Sequence, residues 1–116
     1  MQQKPGKGFA VNTDYKVVIS EGAAQDLGNC INYLINIKKN PQAALSVMND
    51  YDDTIAKLSI VAGSLKPCQS PKMKERNLRR INFLRHNYFM LYLVEGQTAY
   101  VTNIFHDLED ADNKLL

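Results

Sequence analysis

Histidine and cysteine are scarce in this chain, with two of each in 116 residues. Cys30, Cys68, His86 and His106 stand too far apart to have the spacing of a zinc site, so no metal and no cofactor is expected. Two cysteines, one on an apolar helical face and one in a proline-containing loop, do not make a disulfide framework. They read as a small hydrophobe and an exposed thiol. Long apolar runs are missing too. No stretch approaches the 18 or so residues of a membrane helix, and the opening MQQKPGKGFA has no signal-like apolar centre. No membrane partner and a cytoplasmic location are therefore expected. Internal repeats and low-complexity segments are absent as well.

What is present is the composition of an ordinary globular protein, 45% hydrophobic and 22% charged. The length suits one compact core, so residues 14–116 are expected to form a single domain behind a flexible arm over residues 1–13. The formal charge of +2 says little until it is mapped along the chain. Between residues 66 and 86, Lys66, Lys72, Lys74, Arg76, Arg79, Arg80 and Arg85 face only Glu75, a local net charge of +6. Between residues 107 and 116, Asp107, Glu109, Asp110 and Asp112 face only Lys114, a local net charge of −3. A basic segment of this kind either attracts a polyanion or an acidic partner, or is simply solvated.

Periodicity supplies the elements. Tyr15 to Ser20 is a short β-branched run and predicts a strand. Ser20 can cap a helix whose apolar positions Ala23, Leu27, Cys30 or Ile31, Leu34 and Ile37 recur every three to four residues. That pattern stops at Lys38-Lys39-Asn40. Asn40-Pro41 starts a second helix, since Asn caps and Pro is tolerated at the first helical position. Its expected seam is Ala44, Met48, Tyr51, Ile55, Leu58 and Ala62, with Asp50, Asp52, Asp53 and Lys57 turned largely away. So short a connection makes the two helices an antiparallel hairpin.

Gly63 to Asn77 reads as a basic loop with room for one helical turn. Leu78 to Phe105 then gives three strands, with turns at Arg85-His86-Asn87 and Glu95-Gly96-Gln97. The apolar run YFMLYLV suits the central one. Asp107 to Leu116 reads as a short terminal helix or extension. The expected architecture is α+β in two layers, βααβββ, with the hairpin packed on one face of an antiparallel meander and the opposite face open.

The phrases YLINIKKNPQAA, RRINF, NYFMLYLVEG and VTNIFHDLEDADNKL, in this order, resemble the RelE/ParE superfamily of bacterial toxins from type II toxin–antitoxin systems, over about residues 14 to 116. The resemblance implies a toxin of the plasmid-stabilisation type with a cognate antitoxin as partner, and leaves the oligomeric state open, a dimer included. Members similar to RelE cleave messenger RNA on the ribosome, and members similar to ParE poison DNA gyrase. The first activity, that of an endoribonuclease or mRNA interferase, is the leading expectation and the second its alternative. A degenerate, non-catalytic binding module is the third.

RNA cleavage by attack of a 2′-hydroxyl needs cations on the phosphorane and a proton donor for the departing oxygen. The resemblance points to Arg80, His106 and Lys74 as catalytic, and to Lys72, Arg76, Arg79, Arg85 and Tyr92 as contacts to RNA. Adjacent strand residues point to opposite faces, so one of Arg79 and Arg80 faces the substrate, and Arg80 is preferred. His106 either serves as acid and base or fixes the tail through its carboxylates. Tyr92 is either a site phenol or a core aromatic. The acidic Asp107-Leu108-Glu109-Asp110 departs from the nuclease pattern, because its charge repels RNA.

Overall fold

A computed structural model describes residues 14–107, 109 and 111–115. The expected arm over residues 1–13 lies outside them. Strand β1 (Lys16–Ile19) leads through Ser20 into helix α1 (Glu21–Asn32), which continues as a π-helical turn over Tyr33–Ile37. Helix α2 (Pro41–Val61) folds back, and the short helix α3 (Pro71–Glu75) follows. The meander β2 (Arg79–Asn82), β3 (Tyr88–Glu95) and β4 (Thr98–His106) comes next, and a last turn of helix, α4 (Ala111–Lys114), closes the order.

Both long helices begin where their caps dictate. Ser20 Oγ accepts from the Ala23 N–H at 3.0 Å, and Asn40 Oδ1 accepts from the Ala43 N–H at 3.0 Å. Between them the π-helical turn ends in bonds from Lys38 N–H to Tyr33 and from Asn40 N–H to Leu34. Lys39 then takes a positive φ of 54°, which stops the first helix and turns the chain.

The sheet runs β1-β4-β3-β2. β2–β3 and β3–β4 pair antiparallel as the sequence predicts, while β1 lies parallel to β4, with Lys16 opposite Thr98 and Ile19 opposite Val101. A two-residue turn joins β3 to β4, where Gly96 takes a φ of +60° without a side-chain penalty. A register shift between Leu91 and Tyr92 leaves one extra residue on β4.

Side chains alternate across β3 and separate two cores. Met90 and Tyr92 face α1 and α2 and pack with Val47, Leu58, Ala62, Val101 and Ile104. Phe89 and Leu91 face the other way, toward Leu78, Phe105, Ala111 and Leu115. Each of these large side chains contributes roughly 1.5–3 kcal/mol through burial. The second core corrects the expectation of an open sheet face: α3 and the chain's own tail lie over it. Ser70 Oγ donates to Asp112 Oδ1 at 2.8 Å and Lys72 Nζ donates to the Asp112 carbonyl at 3.0 Å, so these two short segments hold each other.

The α2 seam also differs from its expectation. Ala44, Leu58 and Ala62 are buried as predicted, but Met48 is 46% exposed and Asp50, expected to face away, is fully buried. The reason is a partner distant in sequence. The loop after β2 presents a row of N–H groups to α2, and a carboxylate at position 50 answers them.

Candidate functional site

Arg79 and Arg80 part company as alternation requires. Arg79 pairs with Tyr92 and lies on the helix side. Its Nη1 donates to the carbonyls of Gly63 at 2.9 Å, Leu65 at 3.0 Å and Ala62 at 3.4 Å. A cation at the carbonyl end of a helix is favourably placed, so Arg79 caps α2. Tyr92 is fully buried beside it and donates to the same Ala62 carbonyl at 2.8 Å. Burial pushes its phenol up to about 12. Of its two sequence readings, the core aromatic holds, and Tyr92 is withdrawn from the expected RNA contacts because no surface of it reaches solvent.

Arg80 pairs with Leu91 and lies on the opposite face. Its guanidinium sits 3.8 Å from the centroid of the Phe89 ring, and its Nε donates to Asn82 Oδ1 at 2.8 Å. It lines a cavity of about 500 Å³ together with Lys66, Ser70, Met73, Asp107 and Asp112. Glu109 lines the same cavity, so three carboxylate side chains offset its two cations.

His106 belongs elsewhere. It pairs with Tyr88, whose face is that of the long helices, and the two rings meet edge to face at 5.1 Å. Its Nδ1 is 3.5 Å from Asp107, while its backbone N–H donates to Glu109 at 2.9 Å. The cavity it lines, about 560 Å³, is shared with Asp26, Cys30, Tyr33, Tyr88 and Lys114. Burial raises the Asp26 carboxyl despite the Ile104 N–H it accepts at 2.9 Å. Burial likewise raises the Cys30 thiol and the Tyr88 phenol.

The structure therefore does not bring Arg80 and His106 together on one phosphate: they line different cavities on opposite faces of the sheet. Lys74 and Arg76 are exposed on and just after α3, and Lys72 is engaged with the tail. Arg85 is paired with Asp53 at 2.8 Å. Cys30 and Cys68 are both free thiols, and among the described residues no group of His, Cys, Asp or Glu is arranged to hold a metal ion. No helix among the described residues is long and apolar enough to cross a membrane.

A different constellation escaped sequence reading. Asp50 accepts from the N–H groups of Leu84, Arg85 and His86 at 3.0, 3.0 and 2.8 Å, and from His86 Nδ1 at 2.7 Å. Burial pushes its carboxyl up, but these hydrogen bonds outweigh burial and hold it below its ordinary value. The other ring nitrogen, His86 Nε2, lies 3.2 Å from Ser46 Oγ. Ser46 and Asp50 are one helical turn apart on α2, which was the one available signal. His86 comes 40 residues later, and nothing local ties it to them.

No family model matches the sequence, and a search among curated proteins gives no match. Among solved structures, the chain is similar to one titled as the chromosomal ParDE TA system from P. aeruginosa. The TM-score is 0.64 at 21% identity, covering 82% of this chain and 98% of that one. At that identity the likeness establishes a shared fold, which agrees with the α+β architecture expected from the sequence.

Proposed function

We propose that this chain is the toxin of a type II toxin–antitoxin pair and arrests growth by holding a protein target, DNA gyrase, rather than by cutting messenger RNA. The observation that carries the choice between these branches is the separation of Arg80 from His106. A nuclease needs its cation and its proton donor within reach of one phosphate, and here a sheet lies between them. The acidic tail beside Arg80 adds to this, since Asp107, Glu109 and Asp112 lower the affinity of that cavity for RNA.

Several features support a binding mode. Tyr33, Ile35 and Ile37 on the π-helical turn, and Leu45 and Met48 early in α2, are between 42% and 65% exposed. Large apolar side chains left outside at the bend of a helix hairpin suit protein contact. The basic segment from Lys66 to Arg85 suits an antitoxin segment that carries acidic and apolar anchors and orders on binding. Ribosome-dependent cleavage is the second reading, on the strength of that same basic segment.

Induced expression without an antitoxin tests the proposal. Growth is expected to stop, and co-expression of an acidic protein encoded beside this gene is expected to restore it. Unimpaired growth at a high level of folded protein overturns the toxin reading.

A further inference from the structure

We infer that Ser46 is an activated nucleophile, a site at which this protein accepts an acyl or phosphonyl group from an electrophile. The inference is independent of the toxin reading and rests on the chain Ser46–His86–Asp50.

A carboxylate only accepts hydrogen bonds, so the contact of 2.7 Å between Asp50 and His86 Nδ1 places the ring proton on Nδ1. In the neutral imidazole Nε2 then carries the lone pair, and Ser46 Oγ, 3.2 Å away, is in place to donate to it. Nucleophile, base and orienting carboxylate thus stand in the connectivity that generates reactive serines on unrelated folds. The three parts also have the accessibility this work needs. Ser46 is exposed, the His86 side chain retains 29% exposure, and Asp50 is fully buried. The imidazole is fixed from behind and cannot swing away, because the Asp50 carboxylate is itself held by three backbone N–H groups.

The step is a simple transfer. Ser46 Oγ attacks the carbonyl carbon of an activated ester, and its proton passes to His86 Nε2. The ester C–O bond breaks, the alcohol oxygen leaves with the electron pair and takes the proton from Nε2, and Ser46 remains as an O-acyl serine. With a fluorophosphonate the same attack at phosphorus expels fluoride, and the proton is released with it. Turnover is not expected. An efficient hydrolase needs N–H donors aimed at the oxyanion, and the N–H groups of Leu84, Arg85 and His86 beside the imidazole are all directed to Asp50 instead. The geometry thus favours one covalent event per chain.

Ser46 and His86 would touch the reacting group, whereas Asp50 acts through His86 as a positioning residue. The test uses the full chain and a fluorophosphonate probe, with intact mass and peptide mapping as readouts. One adduct, on Ser46, is expected, lost in Ser46→Ala. His86→Asn retains an amide donor for Asp50 but removes the Nε2 base, and it should slow labelling about 100-fold, the usual share of a general base. Asp50→Asn should slow labelling as well, which a merely structural role for Asp50 would not produce in a variant that stays folded. If these variants do not fold, labelling of the native chain is compared with labelling of the same chain in urea. Labelling of Ser46 at least 100-fold faster when native supports the inference. Labelling spread over other residues, or Ser46 labelling no faster than in the unfolded chain or in folded His86→Asn, overturns it.

Discussion

Arg80 and His106 stand on opposite faces of the same sheet, Arg80 opposite Leu91 and His106 opposite Tyr88. Alternation along β3 places Leu91 in the core beneath the tail and Tyr88 against the core beneath the long helices. The proposed function therefore does not use this cation and this imidazole as a catalytic pair. Replacing both, Arg80→Ala with His106→Ala, is therefore expected to leave growth arrest within about twofold of the parent at equal folded protein, read as colony counts after induction. A loss of 10²-fold or more, the usual weight of a general acid or base, would return the two residues to a common site.

Asp50 is expected to be the most sensitive single position for stability. Asp50→Ala leaves three N–H groups and the His86 ring without their buried acceptor. A loss of about 3 kcal/mol or more is expected in urea unfolding, given what an orphaned polar network costs. A loss below about 1 kcal/mol would show that the loop after β2 finds other partners.

Two carboxyls pull the pH dependence of stability in opposite directions. Asp50 lies below its ordinary value of 3.8, so its contribution is present above that pH and is lost as pH falls through the lower folded value. Asp26 lies above 3.8, raised chiefly by burial, so stability decreases as pH rises from 3.8 through the folded value. Asp26→Asn is expected to raise the urea midpoint near neutral pH and to have no such effect below 3.8. Asp50→Asn is expected to flatten the acid limb. The same shift for Asp26→Asn at every pH would place its effect outside ionisation.

The carbonyl end of α2 is closed from two directions, and the two are not equivalent. Arg79→Ala removes three hydrogen bonds and a cation from that end, so a loss of about 2 kcal/mol is expected. Tyr92→Phe removes one bond from Ala62 while Arg79 remains, so about 1 kcal/mol is expected. Equal losses, measured by thermal unfolding, would contradict the assignment of Arg79 as the principal cap.

Elements that announce themselves locally were legible in the sequence. Ser20 and Asn40 cap the two helices as their residue types require, and Gly96 turns the chain between β3 and β4. The apolar run in β3 marked the meander, whereas the parallel pairing of the edge strand β1 with β4 had no local signal. What escaped depended on contacts between distant residues. Asp50 looked like a solvated carboxylate on α2 because its four donors lie more than thirty positions later. The tail read as a short helix or extension with no assigned neighbour, because nothing local shows that Ser70 and Lys72 will hold Asp112. Arg80 and His106 looked like partners because sequence order does not show which face of a sheet each end will take.

Inhibition by protein binding and cleavage of a message are separated by one paired measurement. The purified chain is added in parallel to a DNA supercoiling reaction with purified gyrase and to a ribosome-containing translation extract with a labelled message. Supercoiling is expected to stop while the message stays intact. A message cut only when ribosomes are present, with supercoiling unaffected, would contradict it.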